Sequence, residues 1–167
     1  MILYPYNMSY NLKRVLKTAL KALAILGCIG LVWYLLTGPQ IPESEIISRS
    51  GLHWHPELTI VIKGEKREIP AGIGLGSAEM PIHTHDSTGT IHLEMQGLIR
   101  KNDITLSRFF RIWGKTFNSN CILDQCNSPE GKVKMRVNGS ENTEFENYVM
   151  QDKDIIEIRY GEPSGLK

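Results

Sequence analysis

An uninterrupted apolar run near the N-terminus is the feature that most constrains how this chain folds. Every residue from 22 to 36 is apolar or glycine. If the ammonium of Lys21 reaches the lipid headgroups, the run extends from Thr18 to Thr37, and a helix of that length crosses roughly 30 Å of hydrocarbon. The run therefore predicts a single transmembrane helix over residues 18–37.

The charges on the two sides of this run are unequal. No acidic residue occurs before Glu43, and only Arg49 follows the run closely. Four basic residues precede the run or begin it: Lys13, Arg14, Lys17 and Lys21. Because positively charged flanks stay in the cytoplasm, we expect residues 1–17 to form a cytoplasmic basic tail. The remainder of the chain after the span is then outside, in a single-pass cell-membrane protein.

Two other interpretations of the run stay open. A cleaved signal peptide would also export the rest of the chain, with Ile25-Leu26-Gly27-Cys28 as a poor lipoprotein cleavage site. A buried helix of a soluble protein is the second interpretation. The one-sided charge and the stop at Gly38-Pro39 argue against it.

The part of the chain after the span fits a tether and one globular domain. Residues 38–50 contain two prolines and several polar residues, which is typical of a tether. We expect an extracytoplasmic domain over residues 51–167. Of the 19 Lys and Arg residues, four belong to the basic flank, which leaves 15 against 18 acidic residues and a formal net charge of −3. This balance gives no support to a nucleic-acid partner.

The histidines are confined to one stretch of the exported part. They are His53, His55, His83, His85 and His92. Four of them form two His-x-His pairs, and the fifth is followed at the same spacing by Glu94. In an extended segment, residues two apart project from the same face, so each pair aims two ligand groups at one point. β-scaffolds hold Zn, Cu, Ni or Fe in this way.

We therefore predict a metal site. Its candidate ligands, in order of preference, are His83, His85, His92, His53, His55, Glu94 and Asp86. Glu94 and Asp86 act either as ligands or as acceptors that hold an imidazole N–H. The expected ion is copper or zinc. Met80 and Met95 flank the histidines and suit Cu(I), whereas zinc binds strongly to histidines with a carboxylate.

Three classes of function stay open at this point. A metal-binding or metal-delivery protein ranks first, then a metal-dependent enzyme of unknown reaction, then an interaction or structural domain whose histidines bind no metal. The spacing matches neither the H-x-H-x-D-H of metallo-β-lactamase-like hydrolases nor the cupin motif, and H-E-x-x-H is absent. The expected partners are the membrane and a metal ion, and the sequence identifies no protein partner.

Periodicity predicts an α+β domain. Residues 57–69 read as a hairpin with a Gly64-Glu65 turn, and the glycine-rich residues 70–76 as an irregular connection without a phosphate-binding motif. An apolar stripe after the N-cap candidate Thr105 predicts a helix over 105–117. Two further strands are expected, over residues 133–137 and 155–160, with an Asn138-Gly139 turn after the first. The alternative is an all-β sandwich.

The three cysteines have different expected roles. Cys28 is a small apolar residue within the predicted span. Cys121 and Cys126 are close in an exported domain, so we expect a disulfide, which stabilises by about 2 kcal/mol for so short a loop. A soft metal site made of both thiolates is the alternative.

The order hairpin, helix, strands resembles the β-grasp, or ubiquitin-like, fold, with one main amphipathic helix on a mixed sheet. The stretch from Val137-Asn138-Gly139 to Asp152-Lys153-Asp154-Ile155-Ile156 is similar to the end of small sulfur carriers of that fold. Sulfur carriers react through a C-terminal Gly-Gly, and residues 165–167 here are Gly-Leu-Lys, so the resemblance implies fold rather than activity.

The complete pattern also resembles a family of uncharacterised exported prokaryotic proteins. It combines the span with His-x-His, His-Thr-His-Asp, Gly-x-Ile-His-x-Glu and Phe-Phe-x-Ile-Trp-Gly, which begin at residues 53, 83, 89 and 109. That resemblance implies membrane anchoring and no particular activity.

Overall fold

The computed structural model describes residues 8–38 and 40–161, with side chains from Leu12 onward. The first seven residues of the predicted basic tail, Pro39 of the predicted tether and the C-terminal residues 162–167 lie outside the described residues. The chain divides after Ile41 into two compact units, which are described separately.

The first unit is one long helix, α1, over Met8–Thr37. The candidate span within it, Leu12–Thr37, has 26 residues, of which none is buried, and includes the four basic residues at its start. At 1.5 Å per residue this part is about 39 Å long, enough to cross a bilayer. The hydroxyls of Thr18 and Thr37 donate to carbonyls one turn earlier, at 2.8 and 2.7 Å, so neither needs water. The helix begins ten residues before the predicted span, so the basic residues from 13 onward are helical.

The second unit is α+β, and the all-β alternative is wrong because a helix lies within it. Up to residue 161 it contains twelve strands, which are β1 (Ile46–Ser48), β2 (Leu52–Trp54), β3 (Glu57–Ile62), β4 (Glu65–Arg67), β5 (Ile82–His83), β6 (His92–Met95), β7 (Ile99–Arg100), β8 (Cys121–Ile122), β9 (Gln125–Cys126), β10 (Lys132–Val137), β11 (Ser140–Glu141) and β12 (Ile155–Gly161). The helix α2 covers Leu106–Trp113, and short 3-10 turns cover Glu43–Glu45, Lys101–Asp103 and Phe145–Asn147.

Five strands form the main sheet in the order β11-β10-β12-β3-β4. The last strand, β12, is parallel to β3 on one side and antiparallel to β10 on the other. The outer strands β4 and β11 are the hairpin partners of β3 and β10. The first hairpin turns at Lys63 and Gly64, both with positive φ, one residue before the predicted turn. The second turns at Asn138 and Gly139, as predicted.

The alternating residues of these strands line one hydrophobic core. Leu58, Ile60 and Ile62 of β3 are buried, and Ile156 and Ile158 of β12 are buried beside them. The predicted alternation therefore identified the inward face of the sheet.

Helix α2 covers this core with Phe109 and Phe110, both buried. It ends at Trp113 because Gly114 adopts the left-handed conformation, with φ 70°, and closes the last turn. The predicted helix was therefore one turn too long. Phe117 nevertheless reaches the core, with its ring centroid 4.7 Å from that of Phe110.

Three smaller sheets complete the unit. Strands β1 and β7 pair with each other, and β8 and β9 form a small hairpin closed by the predicted Cys121–Cys126 disulfide. The third sheet has the order β2-β6-β5, with both pairings antiparallel, and it carries the histidines.

Candidate metal centre

The register of the sheet β2-β6-β5 brings the histidine segments together. His53 of β2 lies opposite Glu94 of β6, and His83 of β5 lies opposite His92 of β6. Directly opposed residues on an antiparallel pair project from the same face, and so do residues 92 and 94 on one strand. His55 and His85 follow two positions after the strand residues 53 and 83. All five histidines thus meet at one end of a single sheet face.

The glycine-rich connection fixes the second His-x-His pair through its middle residue. Thr84 is fully buried, and its hydroxyl donates to the carbonyl of Pro70 at 2.8 Å. Backbone bonds join Gly72 and Ile73 to the backbone of Thr84. Gly74 has φ +75°, and a Cβ there would lie 2.5 Å from the carbonyl oxygen of Ile82. The glycines therefore let the connection lie flat against the strand that holds His83.

His83 has a defined tautomer. Its Nδ1 lies 2.9 Å from the carbonyl oxygen of Met80, and since a carbonyl only accepts, Nδ1 carries the hydrogen. In the neutral ring Nε2 then presents a lone pair. Two groups face that lone pair, His85 Nε2 at 3.2 Å and Glu79 Oε1 at 3.1 Å. The His85 Nε2–H can donate to this lone pair. A carboxylate oxygen against a lone pair is repulsive, and a proton on His83 Nε2 or a cation bound among these three groups removes the repulsion.

His92 is the centre of the cluster. Its ring centroid lies 4.8 Å from that of His55, 5.3 Å from that of His83 and 4.5 Å from that of His85. Its Nδ1 is buried and has no hydrogen-bond partner among the described residues. The nearest carboxylate oxygen, Glu94 Oε1, is 3.7 Å away, too far for a hydrogen bond. A buried imidazole nitrogen without a partner is a polar atom that a metal ion would satisfy.

The electrostatics of His92 favour its ligand form. Burial lowers the pKa of this histidine below its usual value of 6.5, and repulsion from His85, His55 and His83 lowers it further. Only the Glu94 carboxylate acts in the opposite direction. A lowered pKa keeps the imidazole neutral, which is the form that binds a metal.

Two sets of side chains have their ligand atoms within 4.8 Å of one another. One set is His83, His85, His92 and Glu94, and the other is His53, His55 and His92. Six of the seven predicted ligands belong to these sets. Asp86 stays outside them, because its carboxylate accepts from the Thr88 backbone N–H at 2.9 Å in a turn. The hydrogen bond that the Thr88 hydroxyl donates to the same carboxylate, followed by this backbone bond, lowers the pKa of Asp86.

Two carboxylates beside the cluster were missed from the sequence. Glu79 lies at His83, as described above, and Asp152 Oδ1 lies 4.0 Å from His55 Nδ1 and accepts from the His55 backbone N–H at 2.9 Å. Glu79 is four residues before His83, but in an irregular segment that spacing has no geometric meaning. Asp152 is 97 residues from His55, and no local pattern relates the two.

An open groove borders the exposed side of the cluster. It has a volume of about 350 Å³ and is lined by Leu52, His53, Glu79, Met80, Glu94 and Met95, among others. Both methionines noted in the sequence thus lie in the groove that leads to the histidines. A thioether is a soft donor, so these two residues add a second type of donor to the lining of the groove.

Comparisons of the chain with protein-family models, with curated protein sequences and with solved structures gave no match.

Proposed function

We propose that this chain is a membrane-anchored extracytoplasmic protein that binds copper or zinc through its histidine cluster and takes part in metal delivery. The main support is that histidine and glutamate side chains from different strands converge on one point. Strand β5 with the residues after it, and strand β6, bring three imidazoles and a carboxylate, of His83, His85, His92 and Glu94, within 4.8 Å of one another, and His53 and His55 from β2 and the residue after it join His92 in a second set. Four nitrogen and oxygen donors are the number that a zinc ion usually takes.

A purely structural role for the histidines explains the cluster less well. Five imidazoles that share one face repel each other when protonated, and a structural histidine normally satisfies its buried nitrogens with hydrogen bonds. Here the buried Nδ1 of His92 has no such bond among the described residues. The lone pair of His83 also faces a carboxylate. A bound cation would satisfy the His92 nitrogen and would also offset the Glu79 charge beside His83.

The choice between copper and zinc follows from the surroundings of the cluster. The ligand set itself is of nitrogen and carboxylate type, which suits Zn(II) and Cu(II). The groove with Met80 and Met95 adds soft donors that suit Cu(I). Delivery requires an exchangeable site, and this groove gives solvent and a partner access to the cluster.

We propose that α1 crosses the cell membrane over residues 18–37, with residues 1–17 in the cytoplasm. The apolar length of the helix and the basic residues at its start support this. Of the tether predicted over residues 38–50, only the part before Glu43 is proposed to act as one, because the 3-10 turn and strand β1 that follow belong to the second unit. The disulfide supports an oxidising location for residues 51–167.

We also infer that the main sheet of the second unit is a β-grasp. Two hairpins flank a central last strand, that strand is parallel to the first strand of the sheet, and a helix lies between the hairpins in sequence. This order supports the resemblance noted from the sequence. The histidine sheet is then an addition, with β5 and β6 inserted between the first hairpin and the helix and β2 placed before that hairpin.

Metal content of the purified full chain tests the proposed function. The chain carries a purification tag without histidine, is held in detergent, is stripped with a chelator and is then titrated with Zn(II), Cu(II) and Cu(I) at pH 7.5. We expect binding of at least one of these ions by the wild type and an affinity at least about 100-fold weaker in His83→Ala/His85→Ala. Wild-type affinity in that variant would contradict the proposal.

Two further variants serve as controls. Glu65→Ala/Arg67→Ala changes two exposed residues of β4 and should bind like the wild type. Because His83 is buried, the circular dichroism and Tm of the histidine variant are measured as well. The single variant His85→Ala, at an exposed position, repeats the test without a cavity in the core.

A further inference from the structure

The cluster contains more ligand groups than one ion uses. Five histidines and Glu94 belong to the two sets of converging ligand atoms. Glu79 and Asp152 add carboxylates beside His83 and His55. A zinc ion takes four ligands and Cu(II) usually four or five, so one ion leaves several of these groups unused.

The two sets are distinct and meet at a single residue. One set combines His83 and His85, from the β5 side of β6, with Glu94 of β6 itself, and the other takes His53 and His55 from the β2 side. His92 belongs to both sets. Its ring contacts His55 from one set and both His83 and His85 from the other. An imidazole has two ring nitrogens, so one ring can serve two ions.

Negative charge is available on both sides of His92. Glu94 Oε1 is 3.0 Å from His53 Nε2 and 3.7 Å from His92 Nδ1, so this carboxylate lies between the two sets. Glu79 lies beside the inner set and Asp152 beside the outer set. Among the described residues, no Lys or Arg pairs with these three carboxylates. They offset most of the mutual repulsion of two divalent ions.

We propose that the cluster holds two divalent transition-metal ions side by side, with His92 as a ligand shared by both. The inner ion is bound by the inner set, His83, His85, His92 and Glu94, and the outer ion by the outer set, His53, His55 and His92. This inference rests on the proposed function. When both ions are bound, the His92 ring releases its remaining N–H proton to solvent and ligates one ion with each nitrogen.

The two ions have unequal exposure. The inner set includes His83, which is fully buried, whereas the His53 side chain of the outer set is 62% exposed and lines the groove with Met80 and Met95. The outer set also has only three protein ligands, which leaves one coordination position open. The outer ion is therefore the exchangeable one, and the inner ion stays bound.

Stoichiometry separates this inference from the proposed function. The stripped full chain in detergent is titrated with Zn(II), and bound zinc is counted by native mass spectrometry and isothermal calorimetry. We expect two zinc ions per chain in the wild type and in the Glu65→Ala/Arg67→Ala control, and one in His53→Ala/His55→Ala. His53 is exposed and His55 partly so, which leaves the core intact in this variant.

Each other outcome has a definite meaning. One zinc per wild-type chain overturns the two-ion inference and leaves the proposed function standing. No zinc in the wild type, together with no copper in the titrations above, overturns both. Two ions in the wild type and still two in His53→Ala/His55→Ala overturn the assignment of the outer set.

A magnetic measurement tests the sharing of His92. When both positions hold Cu(II), unpaired electrons joined by one imidazole ring couple, and the integrated paramagnetic resonance signal falls below the copper content. The His53→Ala/His55→Ala variant, with one Cu(II), should give a signal equal to its copper content. An uncoupled signal from a wild type that holds two Cu(II) ions would contradict the shared ligand.

Discussion

His92 shows how the surroundings of a residue determine its chemistry. On a solvent-exposed strand it would titrate near pH 6.5 like any other histidine. Here burial, followed by the repulsion of three neighbouring histidines, lowers its pKa. The folded chain without metal therefore binds fewer protons at this position than the unfolded chain does, whose histidine keeps the usual pKa.

The sign of the resulting pH effect follows from linkage. The contribution of His92 to stability is fully present above about pH 6.5, the pKa in the unfolded chain, and is lost as the pH falls below it. We predict that the Tm of the metal-free chain decreases between pH 7.5 and 5.5 and that His92→Gln makes this decrease smaller. Differential scanning calorimetry in the presence of a chelator measures both. The control Glu141→Gln, on β11, should keep the wild-type decrease, and an equal decrease in His92→Gln would contradict the assignment.

At the scale of elements, the central strand β12 depends on polar contacts at its start. Asp154 directly precedes β12 and is buried, with its carboxylate bonded to the Tyr148 hydroxyl at 2.6 Å and to the Asn138 side-chain amide at 2.9 Å. Asn138 in turn accepts from the Ile155 backbone N–H at 2.8 Å. The burial of Tyr148 and its bond to Asp154 raise the tyrosine pKa far above its usual value of 10. These side-chain bonds thus connect the turn of the second hairpin to the start of β12, at the end of the β10–β12 pairing.

We predict that Tyr148→Phe lowers the free energy of unfolding by about 1.5–3 kcal/mol, because it removes a hydrogen bond to a buried carboxylate. Tyr160→Phe is the matched control. Its hydroxyl contacts the neutral Ser128 hydroxyl at 3.1 Å, so we expect a smaller loss of about 0.5–1.5 kcal/mol. Urea unfolding followed by tryptophan fluorescence gives both values. If Tyr160→Phe lowered the free energy of unfolding as much as Tyr148→Phe does, the bond to the Asp154 carboxylate would be no stronger than the bond to the Ser128 hydroxyl.

At the scale of the whole molecule, the proposed topology makes a prediction of its own. Protease added to intact cells should remove the second unit and leave an N-terminal fragment protected, because only residues beyond the span are outside. Immunoblotting against tags at the two ends follows both fragments. The same treatment after lysis is the control. A second unit that resists protease in intact cells but is digested after lysis would place it in the cytoplasm.

Several features of the molecule follow from local patterns in the sequence. The N-terminal apolar run forms a helix that is long and apolar enough to cross a membrane, and both properties can be obtained from the sequence alone. Alternation of apolar residues identified the buried face of β3 and of β12, since strand geometry has a period of two. The same period placed the partners of each His-x-His pair on one face. Two cysteines five residues apart meet when the chain turns between them, and here the β8–β9 hairpin brings them together in the disulfide.

The tertiary structure alone decided how these local features meet. The registers that place His53 opposite Glu94 and His83 opposite His92 depend on pairing between segments distant in sequence, and a shift of one residue would turn every ligand to the other face. The parallel pairing of β3 with β12 likewise joins the two ends of the domain. Asp152 reaches the cluster through that long-range packing, and local periodicity contains no information about it. Residue spacing determines the direction in which a side chain points, whereas the side chains that meet it are determined by the packing of the whole domain.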